Sequence, residues 1–194
     1  MSDLNVNRFD MALLYAAGKH RGHYRKGTTI PYVSHLLQVS GLVLENGGDE
    51  DEAIAGLLHD VIEDQDVTPA EIEEKFGPRV KDIVVACSDS VGTEKAPWKQ
   101  RKLAYVAHIA SASKSARLVS SCDKLHNARA ILADYRAIGE SLWTRFSADR
   151  DQILWYYRAL ADAFRNAETA AESRLLDELN RVVGELESEV RRQS

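Results

Sequence analysis

The sequence predicts an all-α fold, and three observations carry that reading. Apolar residues recur at three- and four-residue spacing through almost the whole chain. Helix punctuation recurs between these runs: Gly47-Gly48 then Asp49, Thr68-Pro69-Ala70-Glu71, and Gly77-Pro78. No four-residue alternation of β-branched residues marks a strand. A chain of 194 residues fits one compact bundle with room for a real core.

Asn7 can cap a first helix over 7–21, with Phe9, Ala12, Leu13 and Ala16 inward. Pro31 suits the entrance of a second helix and Ser34 its cap, ahead of Leu36, Leu37, Val39, Leu42, Val43 and Leu44. The glycine pair ends it and Asp49 caps a third. There Ala53, Ile54, Leu57, Leu58, Val61 and Ile62 keep one rhythm, so a single helix is expected to continue through Asp64. Pro69 opens a short helix that Gly77-Pro78 closes, and Val80, Ile83, Val84 and Cys87 define the next. Residues 91–96 lack periodicity and read as a loop. Helices are then predicted over 97–111, 114–135, 148–168 and 171–191. The last carries Leu175, Leu176, Leu179, Val182, Val183, Leu186 and Val190 on one face. It is expected to pack on the preceding bundle of residues 1–170, with a homodimer seam as the second reading of segment 171–194.

Composition narrows the setting. A net charge of −5 argues against a broad nucleic-acid face, where a basic surface is needed. No apolar run approaches the ~20 residues that span a bilayer. The N-terminus lacks a charged-then-apolar signal pattern. Cys87 and Cys122 have no zinc-type neighbours and read as small buried residues. The expectation is a cytoplasmic protein with neither nucleic-acid nor membrane partners.

The most informative stretch is His59-Asp60-Val61-Ile62-Glu63-Asp64. On a continuous helix His59 and Glu63 are i,i+4, as are Asp60 and Asp64, so the four polar groups share the face opposite the core. Crowded carboxylates repel unless a cation sits among them. Two other segments add ligand-type residues: His35, in the first turn of the second helix, and Asp123, one turn before Asn127 on a long helical segment. Two His and two Asp make a nitrogen–oxygen donor set suited to Mn, Fe or Zn, with positions left for water and a substrate oxygen.

These residues resemble the HD-domain superfamily of metal-dependent phosphohydrolases, and within it the (p)ppGpp hydrolases, both stand-alone small alarmone hydrolases and the hydrolase half of bifunctional enzymes. The matched segments are Arg25-Lys26 leading into Pro31-Tyr32-Val33-Ser34-His35, the block from His59 to Asp64, Phe76-Gly77 with Val80 and Ile83, and Asp123-Lys124-Leu125-His126-Asn127. The resemblance implies that His35, His59, Asp60 and Asp123 hold one divalent ion, typically manganese (Mn2+). It implies that Glu63 and Asp64 orient and deprotonate the attacking water. Arg25 and Lys26 match the basic pair that contacts the guanine nucleotide, and Asn127 a ribose or phosphate contact. The implied reaction removes pyrophosphate from the 3′ position to leave GDP or GTP. After the hydrolase-like region the sequence shows only the terminal helix, so no synthetase activity is expected.

Two further substrate contacts are expected. Lys99, in Pro97-Trp98-Lys99-Gln100-Arg101-Lys102, sits at a helix start suited to a phosphate cluster. Tyr156, within Trp155-Tyr156-Tyr157, is expected to wall the purine pocket. His20, His23 and His108 lack partners at ligand spacing, and His126, one residue from Leu125, is read as pointing away from the side of Asp123 and Asn127; all four are left outside the metal set. Another nucleotide 2′- or 3′-phosphate, including that of NADPH, is an alternative substrate. A nucleotide-binding module without turnover is the alternative class, and the paired acids at 63 and 64 speak against it.

Overall fold

A capping box opens the helix that leads to the site. The Asp49 carboxylate accepts from the Glu52 backbone N–H, and the Glu52 side chain accepts from the Asp49 N–H in return. The computed structural model describes residues 6–89, 96–167 and 173–193. Among these the α-helices run in the order α1 (Val6–Lys19), α2 (Val33–Glu45), α3 (Glu50–Leu58), α4 (Val61–Asp64), α5 (Pro69–Phe76), α6 (Pro78–Cys87), α7 (Trp98–Ser111), α8 (Lys114–Ile138), α9 (Arg150–Asn166) and α10 (Ser173–Gln193). A 3-10 helix at Gly139–Arg145 joins α8 to α9. The only β feature among the described residues is one antiparallel bridge between Tyr24 and Pro31. The all-α expectation holds.

Local chemistry explains most boundaries. Thr68 accepts from the Glu71 N–H with Pro69 at the first helical position of α5. The Glu71 carboxylate itself is taken by the Tyr15 hydroxyl of α1 at 2.7 Å. Gly77, at φ 91°, lies in the left-handed region that a side chain would disfavour, and it turns the chain from α5 into α6. Asp149 and Gln152 form a second capping box at the start of α9. Ser34 lies inside the first turn of α2, and the cap position falls to Tyr32, which makes no side-chain cap bond. The predicted loop at 91–96 lies outside the described residues apart from Ala96.

The largest departure from the sequence reading is at residues 59–60. The expected single helix through Asp64 is two helices: α3 ends at Leu58, and Asp60, with φ −102° and ψ −3°, precedes the four-residue α4. Apolar periodicity continues through Val61 and Ile62 because both pieces bury the same side, so the pattern does not register the break.

One core runs through the chain from Ala12 to Val190. α2, α3 and α8 surround the site, α6 supports α3 and α8, and α10 packs on α8 and α9. The apolar face of α10, from Leu175 to Val190, is buried within the chain. α2 and α3 approach closely where residues are small. A Cβ added to Gly56 would come within 3.1 Å of the Ser40 Cα, and the Ser40 hydroxyl donates to the Ala53 carbonyl at 2.9 Å. That contact brings the two histidine-bearing helices together.

Candidate active site

Four side chains from four places in the fold converge. His35 comes from the first turn of α2, His59 from the end of α3, Asp60 from the α3–α4 break, and Asp123 from the middle of α8. The His35 Nε2 lies 3.2 Å from Asp123 Oδ1 and 3.5 Å from Asp60 Oδ2. The His59 Nε2 lies 2.9 Å from Asp60 Oδ2 and 3.5 Å from Asp123 Oδ1. Both Nε2 atoms are buried and without a hydrogen-bond partner. Buried polar nitrogens are rarely left so, and two of them facing two carboxylates fit a divalent cation of mixed nitrogen–oxygen preference. His35, His59 and Asp123 place their ligand atoms within 4.8 Å of one another.

The charges are tightly linked. Burial alone would push His59 down, but the Asp60 and Asp123 carboxylates override it and hold its proton well above the usual range. Burial would raise both carboxyls. Instead the His59 charge and the close approach of both imidazoles hold Asp60 well below the usual range, while Lys124 and His59 do so for Asp123.

Outer partners brace each of these four groups. The Tyr32 hydroxyl donates to Asp60 Oδ2 at 2.6 Å. The Lys124 Nζ donates to Asp123 Oδ2 at 2.6 Å, and the Asn127 amide to Asp123 Oδ1 at 2.5 Å. The His59 Nδ1 is 2.9 Å from the Gly56 carbonyl, and the His35 Nδ1 is 2.7 Å from the His126 Nδ1. Asn127 also accepts from the Arg25 guanidinium at 2.6 Å, tying the basic entry segment to α8. Sequence reasoning gave no role to Tyr32, Lys124 or His126. Tyr32 and Lys124 stand beside predicted residues in the quoted motifs, whereas His126 meets its partner only through tertiary packing.

Because α3 and α4 are separate, His59, Asp60, Glu63 and Asp64 do not form one helical face. Glu63 is half-buried and accepts from the Asp89 backbone N–H at 2.5 Å. Burial, then the neighbouring Asp89 charge, raises its pKa above the ordinary carboxyl value. Asp89 in turn holds Arg101 at 2.5 Å and Lys102 at its other oxygen, so α7 is tied to the acid. Asp64 is exposed and borders the pocket next to the metal-type residues.

That pocket is a cavity of about 690 Å³. Arg25, Lys26, Tyr32, Asn127, Arg145 and Tyr157 are among the residues that line it. Arg25 lies over the Tyr32 ring at 5.8 Å, and Lys26 over Phe146 at 5.9 Å. Two predicted substrate contacts are not brought here. Lys99 is exposed and lies over Trp155 at 5.9 Å, beside a separate cavity. It is Lys102, one turn further along α7, that reaches inward to Asp89. Tyr156 is buried against Trp98 and Tyr157, with Lys102 at 4.9 Å over its ring. Tyr157, about 100° further round α9, takes the pocket wall instead.

His20 and His23, left without partners in the sequence reading, do find them. Their Nδ1 atoms are 3.1 Å apart and both rings stack on Tyr32, with centroids at 4.9 and 4.1 Å. Together with Asp64 their ligand atoms fall within 4.8 Å of one another. The two imidazoles lie nearly parallel, tilted by 13° with centroids 5.4 Å apart. Their Nδ1 atoms face each other at hydrogen-bonding distance, while the His20 Nε2 is buried without a partner.

This donor set on an all-α scaffold defines a class. A profile described as an HD domain matches residues 12–154, and the chain belongs to the HD-domain family. Within it, the chain is 34% identical over 180 residues to guanosine-3′,5′-bis(diphosphate) 3′-pyrophosphohydrolase MESH1 of Drosophila melanogaster, covering 91% of this chain and 95% of that protein. It is 37% identical over 120 residues to the Homo sapiens protein of the same name, covering 59% and 64%. A solved structure described as a metazoan ortholog of SpoT that hydrolyzes ppGpp superposes with a TM-score of 0.72 at 31% identity, covering 90% of this chain and 94% of that one. The structure of lmo0812 from Listeria monocytogenes gives a TM-score of 0.68 at 28% identity, covering 77% and 96%.

Proposed function

We propose that this protein is a manganese-dependent (p)ppGpp 3′-pyrophosphohydrolase. The observation that carries the reading is the convergence of His35, His59, Asp60 and Asp123 behind a pocket lined by Arg25, Lys26, Tyr32 and Asn127, of which Tyr32 bonds Asp60 and Asn127 bonds Asp123. The named activity of a relative aligned over 95% of its length supports the same reaction. His35, His59, Asp60 and Asp123 would hold one divalent ion. When bound, such an ion supplies Lewis acidity and lowers the pKa of water.

The chain's own residues account for the rest. Arg25 presents a flat guanidinium beside Tyr32, a stacking and anion-binding surface for a guanine nucleotide. Lys26 adds a point charge for phosphate. Glu63, held by the Asp89 N–H and raised in pKa, would take a proton from the attacking water. Attack on the phosphorus attached to O3′ breaks that P–O bond. The O3′ gains a proton, and pyrophosphate departs. Asp64, exposed at the pocket edge, orients water or substrate there. Both cysteines are free, which suits the cytoplasmic setting expected from the sequence.

The test is hydrolysis of ppGpp, pppGpp, NADPH and simple nucleotides by the purified protein, with manganese, magnesium or zinc added. Release of pyrophosphate with GDP or GTP, fastest with manganese, is expected. Turnover confined to NADPH or to simple nucleotides would overturn the substrate assignment, and full activity with a chelator present would overturn the metal.

A further inference from the structure

The two histidines that point their Nε2 atoms into the metal centre are held in different ways at their other nitrogen. The His59 Nδ1 faces a backbone carbonyl, that of Gly56, at 2.9 Å. A carbonyl can only accept, so His59 carries its proton on Nδ1 and leaves the Nε2 lone pair for the centre. The His35 Nδ1 faces another imidazole nitrogen, the His126 Nδ1, at 2.7 Å. Both rings are buried, at 0% and 9% exposure. One of those two facing nitrogens must carry the hydrogen and the other must not. If His126 donated, the His35 proton would sit on Nε2, aimed at Asp123 and Asp60, and His35 could not act as a ligand. If His35 donates, its Nε2 is free and His126 carries its own proton on Nε2.

We infer that His126 is a positioning residue that selects the metal-binding tautomer of His35 by accepting a hydrogen bond from its Nδ1. The inference rests on the proposed ligand set. It gives His126 the part that the Gly56 backbone plays for His59, with the difference that a side chain can be replaced. His126 lies one turn after Asp123 on α8, and its reach to His35 on α2 makes it a brace between the two helices. Ligand histidines elsewhere depend on such partners, and losing one typically costs ~10–100-fold in metal affinity.

Two variants and one direct measurement test this. His126→Phe keeps a ring and removes the acceptor, while His126→Asn offers a carbonyl oxygen close to the Nδ1 position. Manganese binding by calorimetry, with helicity monitored by circular dichroism, should show His126→Phe weakened by ~10–100-fold and His126→Asn close to the unsubstituted protein. His35→Ala serves as the reference for the ligand set. Should His35→Ala bind manganese normally, the ligand set is wrong and the inference falls with it. Loss of binding in His35→Ala but not in His126→Phe would overturn the inference alone, as would equal losses in His126→Phe and His126→Asn. Because His126→Phe could also disturb packing, nitrogen-15 NMR of the unsubstituted protein loaded with Cd2+ gives an independent readout. Nδ1–H on His35 and Nε2–H on His126 is expected, and the opposite pair of tautomers would overturn the assignment.

Discussion

Replacing Asn127 by alanine separates two roles that sequence spacing merges. Read from the sequence, Asn127 is a nucleotide contact, and Asn127→Ala would raise KM more than it lowers kcat. In the structure its amide donates to the ligand-type Asp123 Oδ1 at 2.5 Å and accepts from Arg25 at 2.6 Å. A hydrogen bond to a buried charge contributes about 1.5–3 kcal/mol, and 1.4 kcal/mol is tenfold. Loss of the Asp123 contact should therefore raise the metal concentration for half-maximal activity about 10–100-fold. The Arg25 contact is more exposed and merits less than that range, about 1 kcal/mol, or about fivefold in KM. Arg25→Ala should change KM while leaving the metal dependence untouched, because the Asn127–Asp123 bond survives. The double variant should be non-additive by about 1 kcal/mol, as expected for side chains in direct contact. Initial rates of ppGpp hydrolysis over a grid of substrate and manganese concentrations resolve these terms. A change in KM alone for Asn127→Ala, with ordinary metal dependence, would refute the bracing of Asp123.

Glu63→Gln should lower kcat by at least ~10²-fold while leaving nucleotide binding and metal content nearly unchanged, as checked by single-turnover rates and metal analysis. Because the folded-state pKa of Glu63 is raised, its ionisation is disfavoured by folding. Activity should fall as pH drops through that raised value. Stability should fall as pH rises through the same range in the parent but not in the glutamine variant, as thermal melts across pH will show. Chelation should preserve the helical circular dichroism spectrum while lowering the melting temperature. Metal at 100 times its Kd stabilises by about 2.7 kcal/mol, and a melt unaffected by chelator would argue against a site formed only in the folded chain.

The periodic and punctuating residues made the fold legible. Asp49, Thr68 and Gly77 act where the sequence places them because capping depends only on near neighbours. His35, His59, Asp60 and Asp123 could be singled out because crowded ligand types have no role on a merely solvated helix face. What escaped was set by single backbone angles or by other helices. The break at Asp60 depends on one ψ near zero that leaves the apolar pattern intact. Lys99 and Lys102 lie on the same helix, and only the position of Asp89 at the end of α6 decides which one turns inward. Tyr156 and Tyr157 differ by one residue, and the packing of Trp98 on Tyr156 settles which ring faces the pocket. His126 was dismissed from its own helix geometry, but its partner stands on α2.

The break between α3 and α4 has an evolutionary consequence. His59 caps a helix locked into the core and Asp60 stands at the break itself, whereas Glu63 and Asp64 ride on a single turn bounded by Asp60 and by the left-handed Asp66 at φ 52°. In the proposed reading, the part that would grip the ion and the part that would move protons are thus separate elements. A lineage can lengthen, rotate or re-charge that one turn to suit a different phosphate ester while the grip below it stays as it was. New specificity in this scaffold should therefore arise first in the short turn and in the Arg25 segment, and last in the four residues that converge beneath them.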